Sequence, residues 1–255
     1  MEKVEKTYSH SKLWLFESCP EFYKIKYIDR RLPEFPKSVE LFLGGVVHEA
    51  LEWLYKNDER HKTDLDDLLK FFSICWTEKM SKDVRFRNGS NEEYFNKGIK
   101  FLIDYFMRHK PFEENTLFIE KKILFPIDEQ KEYYIQGFID RVVKKDDKTY
   151  EVHDYKTNSY IKTKEQVDSD RQLAFYHLGL KEIFGENIDV KLIWHFLAHD
   201  KQIYSERTEE QLEALKEETL SLIKKIENNT SWPACGKPWC DWCDYKRKNS
   251  LMKFE

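Results

Sequence analysis

The sequence predicts an α/β fold: a central mixed β-sheet flanked by helices, preceded by a helical N-terminal region. Three observations carry that expectation. Apolar residues recur at helical spacing over roughly the first 110 residues. The pattern switches to period two across residues 116–157. Helical periodicity then returns, interrupted by one more pair of strand-like segments, and this order suits a mixed sheet.

Each element follows from its residues. SHSKLWLFESCPEFYKIKY opens on cap-forming serines and places Leu13, Phe16, Tyr23 and Tyr27 at helical intervals, with a break at Pro20. SVELFLGGVVHEALEWLYKN carries Leu43, Val47, Leu51 and Leu54 as one apolar stripe and reads as a strong helix. Two more helices are expected over about 64–80 and 92–109, separated by the polar loop SKDVRFRNGSNEE. TLFIEKKILFPI, EYYIQGFIDRVVKK and KTYEVHDYKT are rich in β-branched and aromatic residues and read as strands. A helix over about 164–184 follows, then DVKLIWHFLAH and KQIYSER as a hairpin of strands. TEEQLEALKEETLSLIKKIENN is an amphipathic helix with Thr208 as its cap. The tail SWPACGKPWCDWCDYKRKNS reads as irregular. The expected organisation is a single domain: a helical part over about 1–112, a sheet-containing core over about 113–207, and a helix with a cysteine-containing tail over about 208–255.

Composition narrows the class. With 255 residues and 40% hydrophobic content, the chain can bury one large core. It has no apolar run of membrane-spanning length, and its first residues lack the apolar centre of a signal peptide, so a cytoplasmic location is expected. The net charge of −4 does not announce a nucleic-acid binder. Acidic residues that hold cations would lower the net charge without weakening a local basic groove. Five cysteines, an odd number without an export signal, argue against a disulfide framework. Cys75 lies inside the apolar FFSICW and reads as core.

The chemistry concentrates in EVHDYKTN. Side chains two apart on a strand share a face, so Asp154 and Lys156 point the same way. If a three-residue turn, Asp146-Asp147-Lys148, joins the two strands, Lys145 pairs with Thr149 and Asp140 falls opposite Asp154. A two-residue loop would slip that register. Two carboxylates so close repel unless a cation lies between them, and oxygen ligands suit Mg²⁺ or Mn²⁺. Such an ion polarises a phosphate and acidifies a bound water, while a lysine beside it stabilises developing charge. An Asp-x-Lys pair on a solvated strand face is the plainer account of these residues taken alone.

The ordered set SKLWLFESCPEFYKIKY, GGVVHEALE, GFIDR, HDYKT and QLAFYHLGL resembles the PD-(D/E)XK nuclease superfamily, and within it the RecB-type exonuclease branch. That branch includes helicase-linked nuclease domains, phage-type exonucleases and CRISPR-associated adaptation exonucleases. The resemblance spans about residues 9–247. It implies His48 as a metal ligand, Asp140 and Asp154 as acidic metal ligands, Lys156 as the catalytic lysine, and the Tyr155 carbonyl as a further ligand. Ile139 stands where the superfamily signature has proline. Gln172 and Tyr176 match a Q-x-x-x-Y motif placed near the active site and the DNA; for Tyr176 a core role stays open. Glu120, beside lysines in LFIEKKI, reads as a solvated face, with orientation of a ligand or of DNA as the alternative.

Cys235, Cys240 and Cys243 have C-x₄-C-x₂-C spacing, and Cys19 can supply a fourth thiolate for Zn²⁺ or an iron–sulfur cluster. The resemblance implies one early and three late cysteines around a [4Fe-4S] cluster, but its final cysteine would fall at Asn249. The alternative is a cluster-free tail held by packing of Trp232, Pro233, Trp239 and Trp242. Lys24, Lys26, Arg30, Arg31, Arg85 and Arg87 interleave with Tyr23, Tyr27 and Phe86, a mixture that suits a single-strand channel. The functional expectation is a divalent-metal-dependent DNA exonuclease acting in repair, recombination, or phage or CRISPR DNA processing. The alternative is a catalytically silent nuclease fold that binds DNA or a protein.

Overall fold

The computed structural model describes residues 6–32, 37–57 and 59–251, with the side chains of 249–251 excepted. The chain divides into two compact units. The larger comprises residues 35–123 and 137–209; the smaller comprises residues 1–34, 124–136 and 210–255.

In the larger unit, α3 (Val39–Lys56), α4 (Leu65–Lys79) and α5 (Asn91–His109) each begin at a side-chain cap. Ser38, Asp64 and Ser90 accept from the third following backbone N–H, which satisfies donors the helix itself leaves open. The apolar stripe read from the sequence becomes core: Val47, Leu51 and Leu54 of α3 meet Leu68 and Phe72 of α4 and Leu102 of α5, all fully buried. Burial of each such side chain contributes about 1.5–3 kcal/mol. Cys75 is buried in the same cluster.

Strands β2 (Thr116–Pro126), β3 (Tyr133–Lys144), β4 (Thr149–Lys156), β5 (Asp189–Phe196) and β6 (Lys201–Ser205) follow the expected segments. β3 and β4 are antiparallel, β4 and β5 parallel, and β5 and β6 antiparallel, so the sheet is mixed; β2 pairs with β3. The parallel crossover from β4 to β5 carries α6 (Lys164–Asp168) and α7 (Arg171–Phe184), and α7 lies against both strands. The single helix expected over 164–184 is thus two. Asp170 interrupts it because its carboxylate caps α7, accepting from Gln172 N–H at 2.8 Å and Leu173 N–H at 3.4 Å.

In the smaller unit, β1 (Lys6–Tyr8) pairs in parallel with the first residues of β3, a three-residue strand too short to show periodicity. α1 (His10–Ser18) is capped by Ser9 and stops at Cys19, whose extended backbone is what a following proline requires. Pro20 then opens the short α2 (Pro20–Tyr23). α8 (Glu209–Glu227) is the amphipathic helix expected. The tail departs from its irregular reading: residues Asp241–Leu251 form α9. That segment lacks the apolar stripe that announces a helix, and Asp241 and Asp244 in its first turn favour the N-terminus. Among the described residues, no helix is long and apolar enough to cross a membrane.

Candidate active site

The β3–β4 hairpin sets the register on which the site depends. Lys145 N–H donates to Thr149 O at 2.9 Å, and the Asp146 carboxylate accepts from Lys148 N–H at 2.9 Å and Thr149 N–H at 2.8 Å, which closes the turn at three residues. The ladder pairs Lys144 with Tyr150 and runs to Arg141 opposite His153. One step further along the same register stand Asp140 and Asp154. There the backbone ladder ends, and Tyr155 N–H donates to Asp140 Oδ2 at 2.8 Å. A carboxylate has taken the place of a ladder carbonyl, and this fixes its orientation.

The opposite edge of residue 155 is held by α3. His48 Nε2 donates to the Tyr155 carbonyl at 2.8 Å, and Nδ1 faces Asp140 Oδ1 at 3.4 Å. One turn before His48, a side chain at Gly44 would bring Cβ within 3.1 Å of Thr157 Oγ1, so the absence of one lets the helix approach the end of β4. The third group comes from β2. Glu120 has φ 49°, a left-handed conformation that a glutamate rarely adopts. Ligand atoms of His48, Glu120 and Asp140 lie within 4.8 Å of one another.

Beside them runs a connected polar chain. Lys156 Nζ pairs with Asp154 Oδ2 at 2.5 Å and donates to Gln172 Oε1 at 3.0 Å. Gln172 Nε2 donates to the Tyr176 hydroxyl at 2.8 Å, so both ends of the amide are engaged in one orientation. Tyr176 is at once core and network: its ring is buried and its hydroxyl is bonded. Lys156 also lies over the Trp194 ring at 4.8 Å.

The electrostatics show what this arrangement suits. Burial pushes Asp154 up to about 6, against the pull of Lys156 and with the repulsion of Asp140. Burial and then the Asp140 charge push Glu120 up to about 7. Burial opposes charge on His48, yet Asp140 and Asp154 outweigh it and raise the imidazole to about 9. Burial likewise opposes charge on Lys156, but the Asp154 carboxylate beside it raises the amine, which remains a cation. Asp154 Oδ2, fully enclosed, has no hydrogen-bond partner of good geometry despite its contact with Lys156. Three crowded carboxylates, one underpaired oxygen and one imidazole form a hard donor set that fits a divalent cation such as Mg²⁺ or Mn²⁺. His48, Glu120 and Asp140 would hold it, with Asp154 alongside. The Tyr155 carbonyl, expected as a ligand, accepts from His48 here. Glu120 is the residue that sequence reasoning set aside; a helix-period or strand-period pattern carries no sign of a left-handed residue.

A second trio of ligand types, Glu114, Glu151 and His153, also lies within 4.8 Å. It is served by Arg141, which donates to Glu114 at 2.6 Å and to His153 Nδ1 at 3.0 Å. The basic segments weighed for nucleic acid fall in separate units, residues 24–31 in the smaller and 85–87 in the larger. Cys19, Cys235, Cys240 and Cys243 converge in the smaller unit. Of the tail aromatics, Trp232 stacks on Tyr23 and Trp242 on Phe22, whereas Trp239 is 68% exposed. The side chain of Asn249 lies outside the described residues.

A mixed sheet that presents an acid from each of two adjacent strands, with a lysine two residues beyond the second, defines the restriction-endonuclease-like class. The profile of the PD-(D/E)XK nuclease superfamily matches residues 7–247, and the chain belongs to that superfamily. The fold is similar to that of a "Putative exonuclease" from Eubacterium rectale, with a TM-score of 0.53 and 14% identity over 94% of this chain and 87% of that one. A second solved chain, SSO0001, aligns over 89% of this chain and 92% of its own at 15% identity, with a TM-score of 0.32. Among curated proteins none matched the sequence.

Proposed function

We propose that this protein is a divalent-metal-dependent deoxyribonuclease of the RecB-type branch that hydrolyses phosphodiester bonds from DNA ends. The observation that carries the reading is the convergence of His48, Glu120 and Asp140 beside the Asp154–Lys156 pair at the C-terminal end of β4. A bound Mg²⁺ or Mn²⁺ would supply Lewis acidity toward the phosphate and acidify a coordinated water. Lys156 stays cationic and offers its charge to the phosphate oxygens as negative charge develops. Gln172 holds that amine from the side opposite Asp154, and Tyr176 holds Gln172. Asp140, anchored by Tyr155 N–H, and His48, anchored by the Tyr155 carbonyl, keep their positions without help from substrate. The superfamily membership supports nucleic acid as the substrate class.

The test uses end-labelled linear DNA and covalently closed circular DNA, each with Mg²⁺, Mn²⁺ or EDTA. Progressive loss of the linear substrate with either metal, sparing of the circle, and silence in EDTA are expected. Cleavage of the circle at equal rate would overturn the end requirement. Full activity in EDTA, or binding without cleavage under every metal condition, would overturn the hydrolase reading and leave a silent binding module.

A further inference from the structure

The four cysteines of the smaller unit form a cluster that the nuclease chemistry does not use. Their Sγ atoms lie within 4.8 Å of one another, with Cys235 and Cys243 at 3.7 Å and Cys19 and Cys243 at 4.0 Å. All are free thiols. The positions are built by distinct devices. Cys19 sits in extended backbone between α1 and α2, where Pro20 requires it. Cys235 precedes Gly236, whose φ of 68° turns the chain back, and Cys240 N–H donates to Lys237 O at 3.2 Å. Cys243 lies in the first turn of α9, whose start is fixed by Asp244 N–H donating to Cys240 O at 2.9 Å. The Glu21 carboxylate, two residues after Cys19, accepts from Trp242 Nε1 and Lys246 Nζ at 2.7 Å each, and Glu21 N–H donates to Pro233 O at 3.2 Å.

Size decides which group fits. A single tetrahedral ion with metal–sulfur bonds of about 2.3 Å separates its four thiolates by about 3.8 Å. The Cys235–Cys243 and Cys19–Cys243 separations of 3.7 and 4.0 Å match that tetrahedron, and the remaining pairs lie within 4.8 Å. A four-iron cubane places iron and sulfide between the thiolates and spreads them to roughly 6 Å. The residue order agrees. The late cysteine that the iron–sulfur pattern requires falls at Asn249, and Cys235 enters from the other side of the C-x-x-C pair.

We propose that Cys19, Cys235, Cys240 and Cys243 bind one zinc ion as a structural tetrathiolate site, and that this chain carries no iron–sulfur cluster there. The ion ties the α1–α2 junction to the start of α9 across more than 200 residues of sequence. This inference does not depend on the nuclease reading, because none of the four side chains belongs to that site.

The test is metal analysis of the full chain purified anaerobically from medium replete in iron and zinc. About one zinc per chain is expected, with a colourless protein and iron below one-tenth of the zinc. Cys240→Ser should lose the zinc, whereas Asp140→Asn and Glu120→Gln should keep it, which separates this site from the acidic one. Cobalt(II) exchanged into the wild-type chain should give the intense visible bands of a tetrahedral thiolate site, a readout that survives even if the serine variant fails to fold. Brown protein with about four irons per chain, zinc that follows Asp140 and Glu120 instead of Cys240, or metal-free thiols under these conditions would each overturn the proposal.

Discussion

Strand β4 carries polar side chains on both faces, and the two faces are solved differently. On one face lie Asp154 and Lys156, with Asp140, Glu120 and His48 around them. On the other lie His153 and Tyr155, and there the groups close on one another. Arg141, fully buried, donates to the Tyr155 hydroxyl at 3.0 Å, to His153 and to Glu114, and covers the Tyr55 ring at 4.1 Å. Tyr105 joins the Tyr155 and Tyr55 hydroxyls at 3.1 and 2.6 Å. His195 Nε2 donates to His153 Nδ1 at 2.9 Å, and Gln202 donates its amide hydrogens to His195 Nδ1 and His109 Nε2. The closed face is satisfied largely by its own side chains, with His153 Nε2 facing Glu151 at 3.7 Å but not hydrogen-bonded, whereas the open face leaves Asp154 Oδ2 underpaired beside Asp140 and Glu120.

The sharpest way to break the comparison is to remove one charge from the open face. Lys156→Ala or Asp154→Asn should lower the cleavage rate by about 10²–10⁴-fold. For Asp154→Asn the melting temperature should hold or rise, because the repulsion with Asp140 relaxes, whereas Lys156→Ala removes the cation beside Asp154 and should lower it. A variant that unfolds while the folded fraction retains full activity would place these residues with the closed face.

Arg141→Met tests the closed face. It removes the Arg141 partner of Glu114 and one donor each from the Tyr155 hydroxyl and His153, at a cost of about 3–5 kcal/mol in chemical denaturation. An unchanged denaturation midpoint would show the network to be incidental.

Glu120→Gln should weaken Mn²⁺ binding by about 10–100-fold, with cleavage recovered at higher metal concentration. Equal metal affinity in titration calorimetry would return Glu120 to the solvated role its sequence suggested. The distinction matters for what a sequence can carry. The opposition of Asp140 and Asp154 was legible on the condition of the turn Asp146-Asp147-Lys148, because turn chemistry and strand period are local properties; the pair Gln172–Tyr176 was legible only through the family resemblance. The position of Glu120 was not legible, since one residue at φ 49° redirects a side chain that alternation would assign elsewhere. The break at Asp170 did leave a local sign, the polar run Asp168–Gln172 with a capping aspartate ahead of Leu173, which the single-helix reading passed over. The helix in the tail was hidden because Trp, Cys and charged residues there leave no stripe.

The two faces should also titrate with opposite sign. Burial, followed by the charge of Arg141, lowers His109 to about 4, and burial holds His153 and His195 well below their usual range. Their unfolded forms take up protons below about 6.5, so the closed face loses stability as pH falls from there toward 4. Asp154 and Glu120, raised to about 6 and 7, hold protons in the folded metal-free protein that the unfolded chain has released, so they add stability as pH falls below 7. Wild-type stability between pH 7 and 5 should therefore vary weakly, and the Asp154→Asn, Glu120→Gln double variant should show the steeper acid loss. A flat profile in the double variant would exclude the histidine contribution. The smallest effect expected is that of Tyr55→Phe, which removes one hydroxyl bond and should cost about 1 kcal/mol.

Residue 155 gives its N–H to one side of this division, its carbonyl to His48 and its phenol to the other side. The register of residue 155 in turn depends on the loop at 146–148. A single inserted residue there would rotate every later position of β4 by half a pleat, turning the aspartate inward among histidines and presenting an imidazole to the nucleic acid. Hairpin length, as much as any acidic side chain, is a determinant of which chemistry this sheet can perform.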